Sequence, residues 1–187
     1  SKLNAQVNRL TSLIADLLDV TKIQSGRLEF DELFFDFGQL VGEVIDEMRL
    51  TAPKHEIEEE IAAIEQVYGD RERIRQVIIN LITNAVKYSP HSDKIIVRAY
   101  MHKKNAILCV RDFGVGIASE KQGKVFEQFY RVSGDKQHTF PGLGLGLYIS
   151  SEIVKRMEGR IWVESEEGKG STFCFSLSLE RGKTTKN

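Results

Sequence analysis

The chain has 187 residues, somewhat beyond the roughly 150-residue domain norm, which fits one domain with an appendage better than two full domains. Hydrophobic residues at 41% and charged residues at 28% describe a globular protein and exclude wholesale disorder. Lys plus Arg at 26 against Asp plus Glu at 27 leaves a net charge of -1, which gives neither the basic excess of a nucleic-acid binder nor an acidic solvating tail. No apolar run approaches the ~18 residues a membrane span needs, and Ser1-Lys2-Leu3-Asn4 starts no signal peptide, so the expectation is a soluble, cytoplasmic piece. Cys109 and Cys174 sit inside apolar runs and are too few for a disulfide framework; buried thiols in a reducing compartment are expected.

From Lys2 to about Gln24 there is no Pro or Gly, and Leu3, Val7, Leu10, Ile14 and Leu17 form a heptad-like helical seam. Leu13, Leu18 and Val20 widen the stripe, so this helix calls for a bundle; Gly26 stops it. Arg27 to Phe30 is predicted as a short strand. Asp36 offers an N-cap to a helix from Phe37 to about Leu50, with Leu40, Val41, Val44, Ile45 and Met48 inward, ended by Pro53. Glu56 to Ile61 and Glu65 to Tyr68 are candidate strands, and Asp70 caps a strong helix to about Tyr88. Lys94 to His102 and Ala106 to Phe113 alternate as strands around the turn residues Lys104-Asn105. A glycine-containing loop, a short helix near Lys124 to Phe129 and a polar loop from Val132 to Pro141 follow. A helix from about Leu145 to Met157, two strands (Arg160 to Ser165, Ser171 to Leu179) and a frayed tail from Glu180 complete the chain.

On the helix after Asp70, the residues Asn80, Asn84 and Lys87 make a polar stripe beside the apolar face of Ile74, Val77, Ile78, Leu81, Ile82 and Ala85. Asn prefers caps to helix interiors. Two stacked one turn apart suit either a hard neutral ligand set for Mg²⁺, with the Lys87 ammonium on a phosphate, or a solvated face; the helix alone weights the two equally. Asp112-Phe113-Gly114-Val115-Gly116 ends a strand with an acceptor-only carboxylate and two spaced glycines, a pattern that matches an exocyclic amine or an ordinary strand-to-loop turn. Gly142-Leu143-Gly144-Leu145-Gly146-Leu147 enters a helix and is phosphate-compatible. It is no Rossmann fingerprint, since its sixth position is Leu147; Gly182-Lys183-Thr184 is no P-loop, since Leu177 stands where glycine is required. Phe126 and Phe129 read as packing anchors, Arg131 as a phosphate ligand or a surface cation, and Gly168 to Thr172 as a hairpin turn. His55, His91, His102 and His138 have no metal-ligand spacing, and no Gly-x-Ser-x-Gly elbow occurs.

Taken in order, these segments resemble the catalytic, ATP-binding domain of bacterial sensor histidine kinases, in the Bergerat or gyrase–chaperone–kinase–mismatch-repair superfamily. Gln76 to Ser89 looks like that family's N box, Asp112 to Gly116 its G1 box and Phe126 to Arg131 its F box. Gly142 to Leu147 looks like the G2 box, Gly168 to Thr172 a third glycine motif, and Arg9 to Phe30 the second helix of the dimerisation hairpin. The resemblance implies an α+β fold, a two-layer α/β sandwich with a mixed, mostly antiparallel sheet against helices. Residues 1–26 would be the partial dimerisation helix, 27–180 the ATP-binding domain and 181–187 a tail.

By the same resemblance ATP and Mg²⁺ are the expected cofactors. Asn84 would hold the metal with Asn80 assisting, and Lys87 and Arg131 would meet phosphate. Tyr88 would pack near the nucleotide and Asp112 would bind the adenine amine, with Gly114 and Gly116 letting the chain bend round the base. Residues from Arg131 to Leu143 would form a lid, Gly142, Gly144 and Gly146 its hinge, and Thr172 would join the nucleotide contacts. Hydrolases of the superfamily carry a water-activating Glu one turn before the metal Asn; Asn80 stands there, which argues for transfer over hydrolysis and, with the dimerisation-like helix, against the alternative of an ATPase, while the presence of Asn84, Lys87, Asp112 and the glycines argues against a non-catalytic scaffold. None of the four histidines has the phosphoacceptor's setting, so the chain is expected to bind Mg·ATP without phosphorylating itself. Its partners would be the hairpin helix that carries that histidine, a response-regulator receiver domain and, in the whole kinase, a second copy; no nucleic acid and no membrane segment are expected.

Overall fold

The computed structural model describes residues 2–64, 66–132 and 143–179. An N-terminal helix, α1 (Lys2–Gln24), leads into a two-layer α+β domain. Its elements are β1 (Leu33–Asp36), α2 (Phe37–Thr51), β2 (Glu56–Ile61), β3 (Gln66–Gly69), α3 (Arg71–Tyr88), β4 (Lys94–His102), β5 (Asn105–Asp112), α4 (Ser119–Gln122), α5 (Gly146–Arg156), β6 (Arg160–Glu166) and β7 (Gly170–Ser178). The main sheet runs β2-β4-β5-β7-β6; β2 is parallel to β4 and every other pair is antiparallel. β1 and β3 form a separate antiparallel pair.

The helices cover one face. Asp36 caps α2 by accepting from Gln39 N at 2.8 Å, and Asp70 caps α3 through Arg73 N at 3.0 Å, each satisfying an orphan amide of the first turn. α3 packs on both α2 and α5. Its Ile74, Val77, Ile78, Leu81 and Ile82 meet the inward side chains Val97, Leu108, Val110, Phe173 and Phe175 in one core.

Arg27 to Phe30 is not a strand: Leu28 and Phe30 alternate inward onto the core, but no strand among the described residues offers them a ladder. The first strand is instead Leu33–Asp36, paired with the distant β3. The helix expected near Lys124 to Phe129 is likewise displaced to Ser119–Gln122. Beyond it only successive i to i−3 turns follow (Lys124 N to Lys121 O, Glu127 N to Lys124 O, Tyr130 N to Glu127 O), which seat Val125 and set Phe126 edge-on to Phe173.

The expectation of two free thiols is overturned. Cys109 on β5 and Cys174 on β7 are directly opposed in the ladder, with Cα atoms 4.1 Å apart, and form a disulfide. They sit with Ile107 and Trp162 on the sheet face away from the helices. Each cysteine alone looks like a small hydrophobe; only the strand register, which joins residues 65 positions apart, makes them partners. Closing so long a loop restricts the unfolded chain, so reduction should lower the unfolding free energy by about 2–4 kcal/mol. Urea titration with and without reductant measures this, and coincident midpoints would contradict it.

α1 ends in a Schellman arrangement, Arg27 N to Lys22 O at 2.8 Å and Gly26 N to Ile23 O at 3.0 Å, with Gly26 at φ +67°. Its lower half is docked on the domain. Val20 is buried, and Asp19 takes an ion pair from Arg73 at 3.1 Å and a hydrogen bond from Gln76 Nε2 at 2.8 Å. Burial, and secondarily the Asp19 charge, hold the Asp16 carboxyl above its ordinary value. The seam residues Leu3, Val7, Leu10, Ile14 and Leu17 are all exposed.

Candidate functional site

The polar stripe of α3 faces the start of α5. Asn80 donates from Nδ2 to Ser150 Oγ at 2.9 Å, and its Oδ1 lies so close to Gly146 that a Cβ there would meet it at 2.3 Å. Asn80 is therefore committed to holding the last expected hinge glycine against α3. One turn on, Asn84 is half-buried, and its amide has no hydrogen bond to another described residue. Lys87 Nζ lies 4.8 Å from the ring centroid of Tyr88, a cation–π contact that keeps the ammonium beside the aromatic face.

The other end of the site is built round Asp112, buried at the end of β5. Its Oδ1 accepts from Gly114 N at 2.9 Å and Ser171 N at 3.2 Å; among the described residues nothing donates to Oδ2. Burial raises the carboxyl above its ordinary value, and the two amides oppose that rise. Three glycines bring the backbone this close. A Cβ on Gly114 would lie 1.9 Å from Tyr88 O, one on Gly116 2.0 Å from Glu166 O, and one on Gly170 2.1 Å from Asp112 O. The first, second and fifth motifs thus interlock by backbone-to-backbone contact, fastened by Val115 N to Tyr88 O and Gly168 N to Val115 O.

Of the remaining expected residues, Gly144 (φ +73°) lies against Tyr130 O and the Arg131 side chain, and Phe129 N donates to Gly144 O, which joins the F and G2 motifs. Leu143 is exposed beside them. Gly142, residues 133–141 of the expected lid and the tail 181–187 lie outside the described residues. Thr172 is not brought to Asp112: it pairs with Arg111 on the opposite sheet face, with Cys109, Cys174, Trp162 and Glu164 around it.

Its neighbour Ser171 is the residue that meets Asp112, and the sequence reading passed over it. Strand parity holds that signal, because Phe173, Phe175 and Leu177 point inward and Ser171 shares their face. Ser165 and Gln122, which tie the loop after Asp112 to β6, carry no comparable signal. No cluster of three or more His, Cys, Asp or Glu able to hold a metal occurs among the described residues.

Residues 69–181 match the family described as histidine kinase-, DNA gyrase B-, and HSP90-like ATPase. The chain is 34% identical over 179 residues to the adaptive-response sensory kinase SasA of Thermosynechococcus vestitus, covering 94% of this chain and 47% of that protein. It is 32% identical to the sensor histidine kinase WalK of Bacillus subtilis, covering 92% of this chain and 29% of that one. The chain thus spans less than half the length of these curated relatives. Among solved structures, the Acinetobacter baumannii histidine kinase AdeS superposes with a TM-score of 0.76 at 31% identity, over 96% of this chain and 83% of that one.

Proposed function

Because the chain belongs to the histidine kinase-, DNA gyrase B- and HSP90-like ATPase family, with sensor kinases among its relatives, we propose that it is the part of a two-component sensor kinase that binds Mg·ATP and presents the γ-phosphoryl group to a histidine outside this chain. The observation that carries the reading is Asp112. One carboxylate oxygen is saturated by two backbone amides, and the other remains an acceptor for an amine, at the point where three motif glycines meet. An ionised, buried acceptor of this kind matches the 6-amino group of adenine and repels the 6-oxo group of guanine.

The metal end is built differently. One neutral amide oxygen, Asn84, with no metal-holding cluster of acidic side chains among the described residues, suits Mg²⁺, which keeps water and phosphate ligands and takes few from protein. When bound, the ion neutralises phosphate charge; Lys87 and Arg131 would add cationic groups for the phosphates. Asn80 acts one step back by pinning Gly146 and the entry to α5, so the phosphate-facing amides at the helix start stay close to α3. Transfer to a histidine needs chiefly this positioning and charge compensation.

The exposed seam of α1 suits pairing with the hairpin helix that carries the acceptor histidine and, across it, with a second copy; a receiver domain would then take the phosphoryl group. No described helix is long and apolar enough to cross a membrane, and the reading assigns this chain to the cytoplasm, where ATP is available. Calorimetric titration with a non-hydrolysable ATP analogue tests the assignment. Mg²⁺ should strengthen binding, and Asn84→Ala should remove most of that gain, about tenfold, while leaving Mg²⁺-free binding unchanged. Binding indifferent to both Mg²⁺ and Asn84 would contradict the metal site, and no binding would contradict the reading as a whole.

A further inference from the structure

Ser165 lies on β6 directly opposite Ser171 on β7. Its Oγ is 2.8 Å from Ile117 N, 2.9 Å from Gly170 O and 2.9 Å from Ser171 Oγ. A hydroxyl has one proton and two lone pairs. The Ile117 amide can only donate and the Gly170 carbonyl can only accept, so the Ser165 proton goes to Gly170. The Ser171 hydroxyl must then donate to Ser165. Every hydrogen-bonding capacity of Ser165 is used, and each partner belongs to a stretch that surrounds Asp112: the loop after it, the β6–β7 turn, and the residue whose N–H holds Oδ1.

A second fastening runs alongside. Gln122 Nε2 donates to Ile117 O at 2.9 Å and to Ser165 O at 2.7 Å, bringing α4 into the same joint. We propose that Ser165, supported by Gln122, is a positioning residue for the base end of the nucleotide site: it clamps the 114–117 loop onto the β6–β7 hairpin and so fixes the Gly114 and Ser171 amides on Asp112. The inference rests on the adenine reading of Asp112, and Ser165 itself need not touch the nucleotide. Without its hydroxyl, Ile117 N–H, Gly170 C=O and Ser171 O–H each lose a partner, and the loop and hairpin are free to slide past each other.

The test titrates the chain, Ser165→Ala, Ser165→Thr and Gln122→Ala in Mg²⁺ with non-hydrolysable ATP and GTP analogues and with inorganic triphosphate. Ser165→Ala should bind the ATP analogue about tenfold more weakly and lose a similar factor of ATP-over-GTP preference, with triphosphate affinity unchanged. Ser165→Thr, which keeps the hydroxyl, should restore the preference. Gln122→Ala should shift it in the same direction by less, and it serves as the test if Ser165→Ala does not fold. An unchanged preference in the alanine variants, or an equal loss for triphosphate, overturns the inference while the nucleotide reading stands. Failure of the unaltered chain to prefer adenine overturns both.

Discussion

Replacing Asp112 by asparagine is expected to weaken adenine-nucleotide binding by about 100-fold, the equivalent of one charge-assisted hydrogen bond lost inside a buried site. The side chain keeps its shape, so the fold should survive. The chemistry does not survive, because an amide has one acceptor where the carboxylate has two. If the amide oxygen stays on the Gly114 and Ser171 amides, the NH₂ group faces the incoming amine; if it turns, the NH₂ faces the two N–H groups. Acid should imitate the substitution. Burial already raises the Asp112 carboxyl above its ordinary value, so protonation begins at a higher pH than for an exposed Asp, and nucleotide affinity should fall as that pH is approached from neutrality. For the empty fold the sign is reversed: a raised carboxyl contributes stability that is present below its ordinary value and is lost as pH rises through the raised one. Calorimetry and urea titration across the same pH series should therefore give opposite slopes from this one group. Binding by Asp112→Asn within a few-fold of the original would remove Asp112 from the site.

Gly170→Ala should be among the most damaging small substitutions in the domain. At φ +96° an alanine is strained by about 1–2 kcal/mol, and its methyl would lie 2.1 Å from Asp112 O and 2.7 Å from Phe113 Cα, both backbone atoms with nowhere to go. Relief requires parting β7 from β5 beside the carboxylate, which adds overpacking of about 1–3 kcal/mol to a total stability of about 5–15 kcal/mol. The control is two residues away. Gly168 also has a positive φ, +80°, but a Cβ there meets nothing within 4 Å, so Gly168→Ala should cost only the conformational term. Urea midpoints of the two variants separate contact from conformation. Equal losses would mean that the approach of β7 to Asp112 is not close enough to matter.

How far the molecule could be read in advance depended on whether a feature was local. Asp36 and Asp70 announce α2 and α3 because a cap and an apolar period lie within a few residues of each other. The paired strands β4 and β5 show in their alternation around Lys104-Asn105. The misplaced first strand fails for the opposite reason: Arg27 to Phe30 alternates in burial, yet strands are made by partners, and β3 (Gln66–Gly69) pairs with Leu33–Asp36 instead. Asn80 stood out as a polar residue in a helix, but its engagement with Ser150, seventy positions on, belongs to the packing of α3 on α5. Thr172 and Ser171 were separable by strand parity alone. Ser165 was not, since a serine in an alternating strand is ordinary until its three partners are assembled around it.

The cross-strand disulfide also changes the topology of the covalent chain. The bond closes a ring between Cys109 and Cys174 that contains the F and G2 motifs, all of α5 and β6, and the segment between Val132 and Leu143. A protease that severs any single peptide bond inside this ring opens a loop and releases nothing. Both halves of the oxidised domain, with Asn84 before the ring and Asp112 within it, stay tethered through sulfur, and such a cut becomes visible as two pieces only after reduction.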